Sequence, residues 1–254
     1  MNGMIPRGLV VSCQALRDEP LYGGDTISKM ALAAKQGGAV GIRANTVRDI
    51  NAIYGTLNGE LPIIGLIKRE YADSPVYITP TVKEAKALIK SKCSVIALDA
   101  TNRPRPGGLA LEELVSYLRA HTDKLLMADI ATYEEAMNAE RLGFDYVSTT
   151  MRSYTAETKG ISIPDIEFCR RLYSDITKAT VIAEGGIHTF DELQAVLEVG
   201  IDHVIIGGAI TRPQNITRDY VDVFKQSNVF NCVGAPSVGR EDASRFAAFY
   251  EKKQ

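Results

Sequence analysis

Thr180-Val181-Ile182-Ala183-Glu184-Gly185-Gly186-Ile187-His188-Thr189 decides how the rest of the chain is read. Its apolar start reads as a buried strand, and Glu184 places a carboxylate where that strand ends. Gly185 and Gly186 carry no Cβ, so the backbone there can approach a ligand closely. Thr189 suits the N-cap of a helix starting near Phe190, whose first N–H groups would favour an anion. The next apolar run closes on a second glycine pair, Gly207-Gly208. A carboxylate and an anion cradle thus share neighbouring strand ends.

Outward from that stretch, eight short β-rich apolar runs stand out. They are Leu9–Ala15, Ala39–Ala44, Leu61–Lys68, Val95–Thr101, Leu125–Ile130, Asp145–Thr150, Thr180–Gly185 and His203–Ile210. Their starts lie 20 to 35 residues apart, room for one helix and two loops in each interval. The intervals read accordingly. Leu111 to Leu118 has apolar residues at helical spacing, Thr132 and Glu135 have capping-box spacing, and Lys29 to Lys35 ends at Gly37-Gly38.

Most runs are nearly continuous in apolar residues, as strands buried on both faces should be. Eight β–α units without insertion predict an α/β fold, a closed (β/α)8 TIM barrel. A doubly wound open sheet would carry its glycine fingerprint after the first strand, where this chain has Ser12-Cys13-Gln14-Ala15. The glycine pairs fall instead at runs seven and eight, where phosphate-binding barrels place them. Residues 1–227 are therefore read as a single barrel domain. Residues 228–254 are read as a C-terminal extension packed on the barrel or on a partner subunit.

The 254 residues suit such a barrel, which needs about 250. With 29 basic and 31 acidic side chains mixed along the chain, no basic face for nucleic acid or anionic membrane is suggested. No run approaches a membrane span, and Met1 to Leu9 has no apolar core of signal-peptide length. Cys13, Cys93, Cys169 and Cys232 form no C-x-x-C pair. A cytoplasmic, reducing setting is the resulting expectation. The three histidines, His121, His188 and His203, have no ligand spacing, so no metal is expected.

In a barrel the C-terminal strand ends share one mouth. The runs deliver Gln14, Arg43 with Asn45, Lys68, Asp99, Asp129, Thr149 with Thr150, Glu184, and finally Thr211 with Arg212. Any one could be an ordinary rim residue. As a set they point to a site, because Lys68, Asp99, Asp129 and Glu184 each follow apolar residues and are costly to bury unless paired or used. Asp99, Asp129 and Thr149 suit sugar-hydroxyl binding. Burial and a nearby cation such as Arg43 would lower the pKa of Lys68 and favour its neutral amine. That amine could act as a base, form a Schiff base, or be held in a salt bridge to Asp99 or Glu184. Gly185-Gly186, Gly207-Gly208 and Arg212 fit a phosphate, with Pro213 starting a helix.

Longer motifs carry a resemblance. They include Val11-Ser12-Cys13-Gln14-Ala15-Leu16, Asp18-Glu19-Pro20-Leu21, Ile42-Arg43-Ala44-Asn45 and Pro62-Ile63-Ile64-Gly65-Leu66-Ile67-Lys68-Arg69. Tyr77-Ile78-Thr79-Pro80-Thr81, Ile96-Ala97-Leu98-Asp99-Ala100-Thr101, Met127-Ala128-Asp129-Ile130 and Gly207–Pro213 continue it. Over residues 8 to 225 the chain resembles the N-acetylmannosamine-6-phosphate 2-epimerases, although Gly186 stands where some relatives carry arginine. The resemblance implies a phosphate-binding TIM barrel that needs no cofactor and interconverts N-acetylmannosamine 6-phosphate and N-acetylglucosamine 6-phosphate in sialic acid catabolism. It implies Lys68 as the base at C2, Glu184 as its acidic partner, and Gln14, Arg43, Asp129 and Arg212 as ligand-binding positions. Barrels of this kind often pair, so a homodimer is expected. A Schiff-base aldolase or lyase acting through Lys68, and a non-catalytic sugar-phosphate-binding barrel, are the competing readings.

Overall fold

The computed structural model of the chain describes residues 4–226. Strands β1 (Gly8–Cys13), β2 (Gly41–Asn45), β3 (Ile63–Leu66) and β4 (Val95–Asp99) come first. β5 (Leu125–Asp129), β6 (Tyr146–Ser148), β7 (Thr180–Glu184) and β8 (His203–Ile206) follow. All neighbours pair in parallel and in chain order, and β8 pairs with β1 to close the barrel. Helices α1 (Thr26–Gln36), α2 (Val47–Thr56), α3 (Val82–Ile89) and α4 (Leu111–His121) separate the early strands. α5 (Tyr133–Arg141), α6 (Ile166–Asp175) and α7 (Phe190–Val199) separate the later ones, and α8 (Gly208–Thr211) and α9 (Pro213–Gln226) follow β8. The expected (β/α)8 barrel is what the chain forms. Among the described residues, those up to Pro213 make one compact unit and those from Gln214 belong to a second. The extension expected at 228–254, with Cys232, lies outside the described residues.

Alternation along each strand divides the apolar residues between two cores. Ile42, Ile63, Ile96, Leu98, Leu126, Val147 and Val181 face the helices and pack with Ile50, Leu88, Leu114, Leu172 and Val196. Val10, Ile64, Leu66, Val95, Ala97, Met127, Tyr146, Ile182 and Ile205 fill the barrel interior. Burial on both faces is why the runs are continuous rather than alternating. At the N-terminal end of the strands, Ile5 closes the interior. Its N–H donates to Tyr146 Oη at 3.0 Å, and its carbonyl lies 3.2 Å from His203 Nε2. Gly65 must lack a side chain, since a Cβ there would come within 2.6 Å of Cys93 Cβ and 2.8 Å of Ile50 Cδ1.

Seven of the eight runs stop as strands before the run itself ends, and three of them show why. His203–Ile210 ends at Ile206, where Gly207 (φ −111°, ψ −89°) turns the chain into α8. Asp145–Thr150 ends at Ser148 and continues as a single 3-10 turn, Thr149–Met151. Leu61–Lys68 ends at Leu66 because the later segment around Ile78 inserts between β3 and β4. Thr79 donates its N–H to Ile67 O (2.8 Å) and its hydroxyl to Ala97 O (2.7 Å), and Asp99 donates its N–H to Ile78 O (3.0 Å). Direct β3–β4 pairing is confined to Ile64 with Val95 and Gly65 with Ile96. The wedge satisfies the backbone groups of the splayed strand ends, and it carries Tyr77 toward the mouth.

The capping-box expectation holds at Thr132, and Thr189 caps α7 as expected. Cys13, Cys93 and Cys169 are buried and free. Thr132 and Thr189 are N-caps with full capping boxes. Among the described residues no helix is long and apolar enough to cross a membrane.

Candidate active site

The side chains that continue the inward-facing rows beyond the apolar layers are Gln14, Arg43, Lys68, Asp99, Asp129, Thr150 and Glu184. Arg43 is at their centre and is 1% exposed. Its Nη1 and Nη2 donate to the two oxygens of Asp129 at 3.0 and 2.7 Å, and Nη1 also lies 3.1 Å from Glu184 Oε2. A guanidinium buried this deeply is stable only when its charge is matched, and two carboxylates on β5 and β7 match it.

Thr150 joins those carboxylates. Its Oγ1 is 2.7 Å from Asp129 Oδ1, 2.9 Å from Glu184 Oε2 and 2.8 Å from Ser148 Oγ. One hydroxyl has one proton to donate and two lone pairs with which to accept. All three contacts are favourable when Thr150 donates to Asp129, Ser148 donates to Thr150, and a protonated Glu184 donates to Thr150. The electrostatics run the same way. Burial raises the pKa of Glu184 and the negative charge of Asp129 raises it further, outweighing the lowering effects of Arg43, of the Thr150 hydrogen bond and of Lys68. Glu184 therefore holds its proton to a higher pH than an ordinary carboxyl group does.

Lys68 follows β3 by two residues and is half-buried. Asn45 at the end of β2 fixes its backbone, with Oδ1 accepting the Lys68 N–H at 2.9 Å. Its amine makes no ion pair within 4.0 Å among the described residues, so neither Glu184 nor Asp99 holds it in a salt bridge. Burial, then the charges of Arg43 and Arg212, pull its pKa from 10.5 down to about 8, outweighing the opposite pull of Glu184 and Asp129. A lysine in the barrel mouth with no carboxylate partner beside two arginines gives up its proton more readily than a free one.

Gln14 donates Nε2–H to Ser12 Oγ at 2.9 Å, while its buried Oε1 has no hydrogen-bond partner. The Nε of Arg43 is likewise unpartnered. Asp99 is fully buried but occupied. Oδ1 accepts from the N–H and hydroxyl of Thr101, and Oδ2 accepts from Arg103 at 2.5 Å. Thr149 is occupied too, accepting the N–H of Glu184 (3.0 Å) and donating to its carbonyl (2.9 Å). Asp99 and Thr149 thus brace the mouth from beneath. Both side chains, read from the sequence as substrate-binding positions, are engaged with the protein here.

Gly185 and Gly186 follow β7, and Gly207 and Gly208 follow the adjacent β8. Gly186 has φ +74°, and a Cβ would lie 2.4 Å from the carbonyl carbon of Ile163, so no arginine could stand here without a change of backbone. At the start of α7 the capping box takes up part of the backbone, the N–H of Glu192 donating to Thr189 Oγ1 at 3.2 Å. The N–H groups of His188 and Thr189 donate to Glu192 Oε2 at 2.7 and 2.8 Å. Arg212 lies beyond α8 and donates Nε–H to Glu19 Oε1 at 2.6 Å.

The sequence places Thr150 at the mouth without assigning it a role, and it singles out neither Tyr77 nor Glu19 as functional. Thr150, not Thr149, faces the carboxylates, and strand parity from Tyr146 and Ser148 was the signal. Tyr77 arrives on the wedge, its hydroxyl pushed up to about 12 by burial and by the charges of Asp99 and Asp129. Glu19, the partner of Arg212, had no signal beyond its place in a motif. Among the described residues no group of three or more His, Cys, Asp or Glu side chains is placed to hold a metal ion.

Comparison with known proteins agrees with this geometry. Residues 27–226 match the family described as "Putative N-acetylmannosamine-6-phosphate epimerase". A protein of Staphylococcus aureus (strain JH9), named "Putative N-acetylmannosamine-6-phosphate 2-epimerase", is 52% identical over 225 residues, covering 87% of this chain and all of its own. The solved N-acetylmannosamine-6-phosphate 2-epimerase of Clostridium perfringens superposes with a TM-score of 0.82 at 49% identity, over 86% of this chain and 94% of that one. Thiamine phosphate pyrophosphorylase of Pyrococcus furiosus, at 18% identity and a TM-score of 0.56, shares the fold. The chain belongs to the N-acetylmannosamine-6-phosphate epimerase family.

Proposed function

We propose that the protein interconverts N-acetylmannosamine 6-phosphate and N-acetylglucosamine 6-phosphate by moving the proton at C2 of the open-chain sugar. The observation that carries the mechanism is Lys68, an unpaired amine lowered to about 8 beside Arg43. The C2 proton is acidic only when C1 is a carbonyl, so the ring must open first. The neutral amine of Lys68 then takes that proton. The C–H electron pair forms a C1–C2 double bond, and the carbonyl pair moves onto the C1 oxygen. The new ammonium and the field of Arg43 stabilise that oxygen. Glu184, holding a proton through the Thr150 network, supplies the acid. Return of a proton to the other face of C2 gives the epimer, with no net change of oxidation state.

Gly185, Gly186, Gly207, Gly208 and Arg212 form the phosphate end in this proposal. Support comes from their position on adjacent strand ends and from the left-handed backbone of Gly186. Gln14 Oε1 is the open acceptor for the sugar. Binding at the phosphate would hold the strained open chain over Lys68. The cytoplasm as the site of action and a homodimer belong to the same proposal. For the homodimer the support is the set of exposed apolar residues Tyr220, Val221 and Val223 on α9, and sedimentation at the monomer mass would remove it.

Incubation with N-acetylmannosamine 6-phosphate in deuterium oxide tests the reaction. The epimer with deuterium at C2 is expected, and absence of both refutes the proposal. Lys68→Met should abolish exchange while keeping phosphate binding. It should also raise Tm at pH 7. The pKa of Lys68 is lower folded than unfolded, so below about 8 the folded state bears the full cost of a buried ammonium that methionine lacks. A lower Tm would show the lysine to be a structural support.

Thr150→Val keeps the shape and removes the hydroxyl. The turnover rate should fall roughly tenfold to a hundredfold with KM little changed, and Thr150→Ser should recover most of it. Equal losses in the serine and valine variants would separate Thr150 from proton handling.

A further inference from the structure

The loop after β1 reaches across the barrel seam through one side chain. Residues 16–19 form a tight turn in which the Glu19 N–H donates to Leu16 O at 2.9 Å and Glu19 Oε2 accepts the Leu16 N–H at 2.7 Å. The same carboxylate receives Arg212 Nε–H on Oε1 at 2.6 Å and Arg212 Nη2–H on Oε2 at 3.3 Å. Since β1 and β8 are paired neighbours, Glu19 ties the two loops that flank their shared end. Neither member of the pair is fully exposed, with side chains 17% and 27% accessible for Glu19 and Arg212.

The geometry of the pair is specific. A guanidinium has a side edge, made by Nε and one Nη, and an end edge made by both Nη groups. Glu19 takes the side edge. Nη1, which with the outer N–H of Nη2 forms the end edge, makes no hydrogen bond among the described residues. Resting on the proposed reaction, we infer that Glu19 is a positioning residue: it fixes Arg212 so that its end edge is presented to the phosphate of the substrate. Glu19 touches no reacting atom and works only through Arg212.

The electrostatics are consistent with that arrangement. Burial raises the pKa of Glu19, but its bonds to Arg212 and to the Leu16 N–H lower it by more, so the carboxylate is charged when the enzyme works. Arg212 in turn is one of the two cations that lower Lys68, with Arg43 the other and Glu184 and Asp129 opposing them. Holding Arg212 in place therefore also fixes one contribution to the state of the amine.

A double-mutant cycle with Glu19→Gln and Arg212→Ala tests the inference, read in two ways: kcat/KM for the sugar phosphate, and Kd for inorganic phosphate by calorimetry. Glu19→Gln alone should raise KM and the phosphate Kd by roughly tenfold, the scale of one charge-assisted hydrogen bond. In the Arg212→Ala background the same change should do nothing further. A KM and Kd that stay level or fall in Glu19→Gln would show that Glu19 merely competes for Arg212. Equal losses in both backgrounds would make it a loop prop. Either result overturns the inference. If the unaltered protein binds phosphate with this coupling but never exchanges C2, the positioning role stands and the epimerase proposal falls.

Discussion

Burial of Arg43 is the constraint on which the mouth of the barrel depends. Taking a guanidinium out of water is expensive, and removing one partner of a buried pair costs about 3–5 kcal/mol. Asp129 supplies a two-point match at 3.0 and 2.7 Å, and Glu184 a further contact at 3.1 Å. Positions of β2, β5 and β7 are therefore tied to one charge. Thr150 adds the third connection by bridging the two carboxylates. Two acids and one arginine do not balance when both acids are ionised. The raised pKa of Glu184 is how the cluster resolves the excess.

Lys68 is the counterpart that this cluster leaves alone. Had Glu184 been free of Arg43, it could have captured the amine in a salt bridge and kept it protonated. Instead Arg43 holds the acids and repels the amine. Around one buried cation two neighbouring groups thus have opposite tendencies, a carboxyl whose pKa is raised and an amine whose pKa is lowered. The barrel contributes the wedge at Ile78 that displaces Lys68 from regular sheet, together with Asn45, which fixes its backbone.

The fold was legible because two-sided burial writes continuous apolar runs, and eight of them at barrel spacing leave few alternatives. Glu184 and Lys68 were legible for the same reason, as charges ending apolar runs. Strand parity would also have selected Thr150 over Thr149, since Tyr146 and Ser148 point inward. The capping box of Thr189 and Glu192 has the same spacing as that of Thr132 and Glu135, and both are legible as local patterns. The wedge and the Glu19–Arg212 pair were not legible in that way. Both depend on loops meeting across the barrel, and no local period or spacing encodes such a meeting. Asp99 illustrates the same limit, because Thr101 and Arg103, which claim its oxygens, are loop residues.

The central claim is that the barrel mouth makes the Lys68 amine neutral enough to act as a base near physiological pH. NMR titration of the lysine side-chain signals, with Lys68 assigned by its loss in Lys68→Met, measures this directly. A midpoint of about 8 is predicted. A midpoint near 10.5, the ordinary lysine value, would contradict the account.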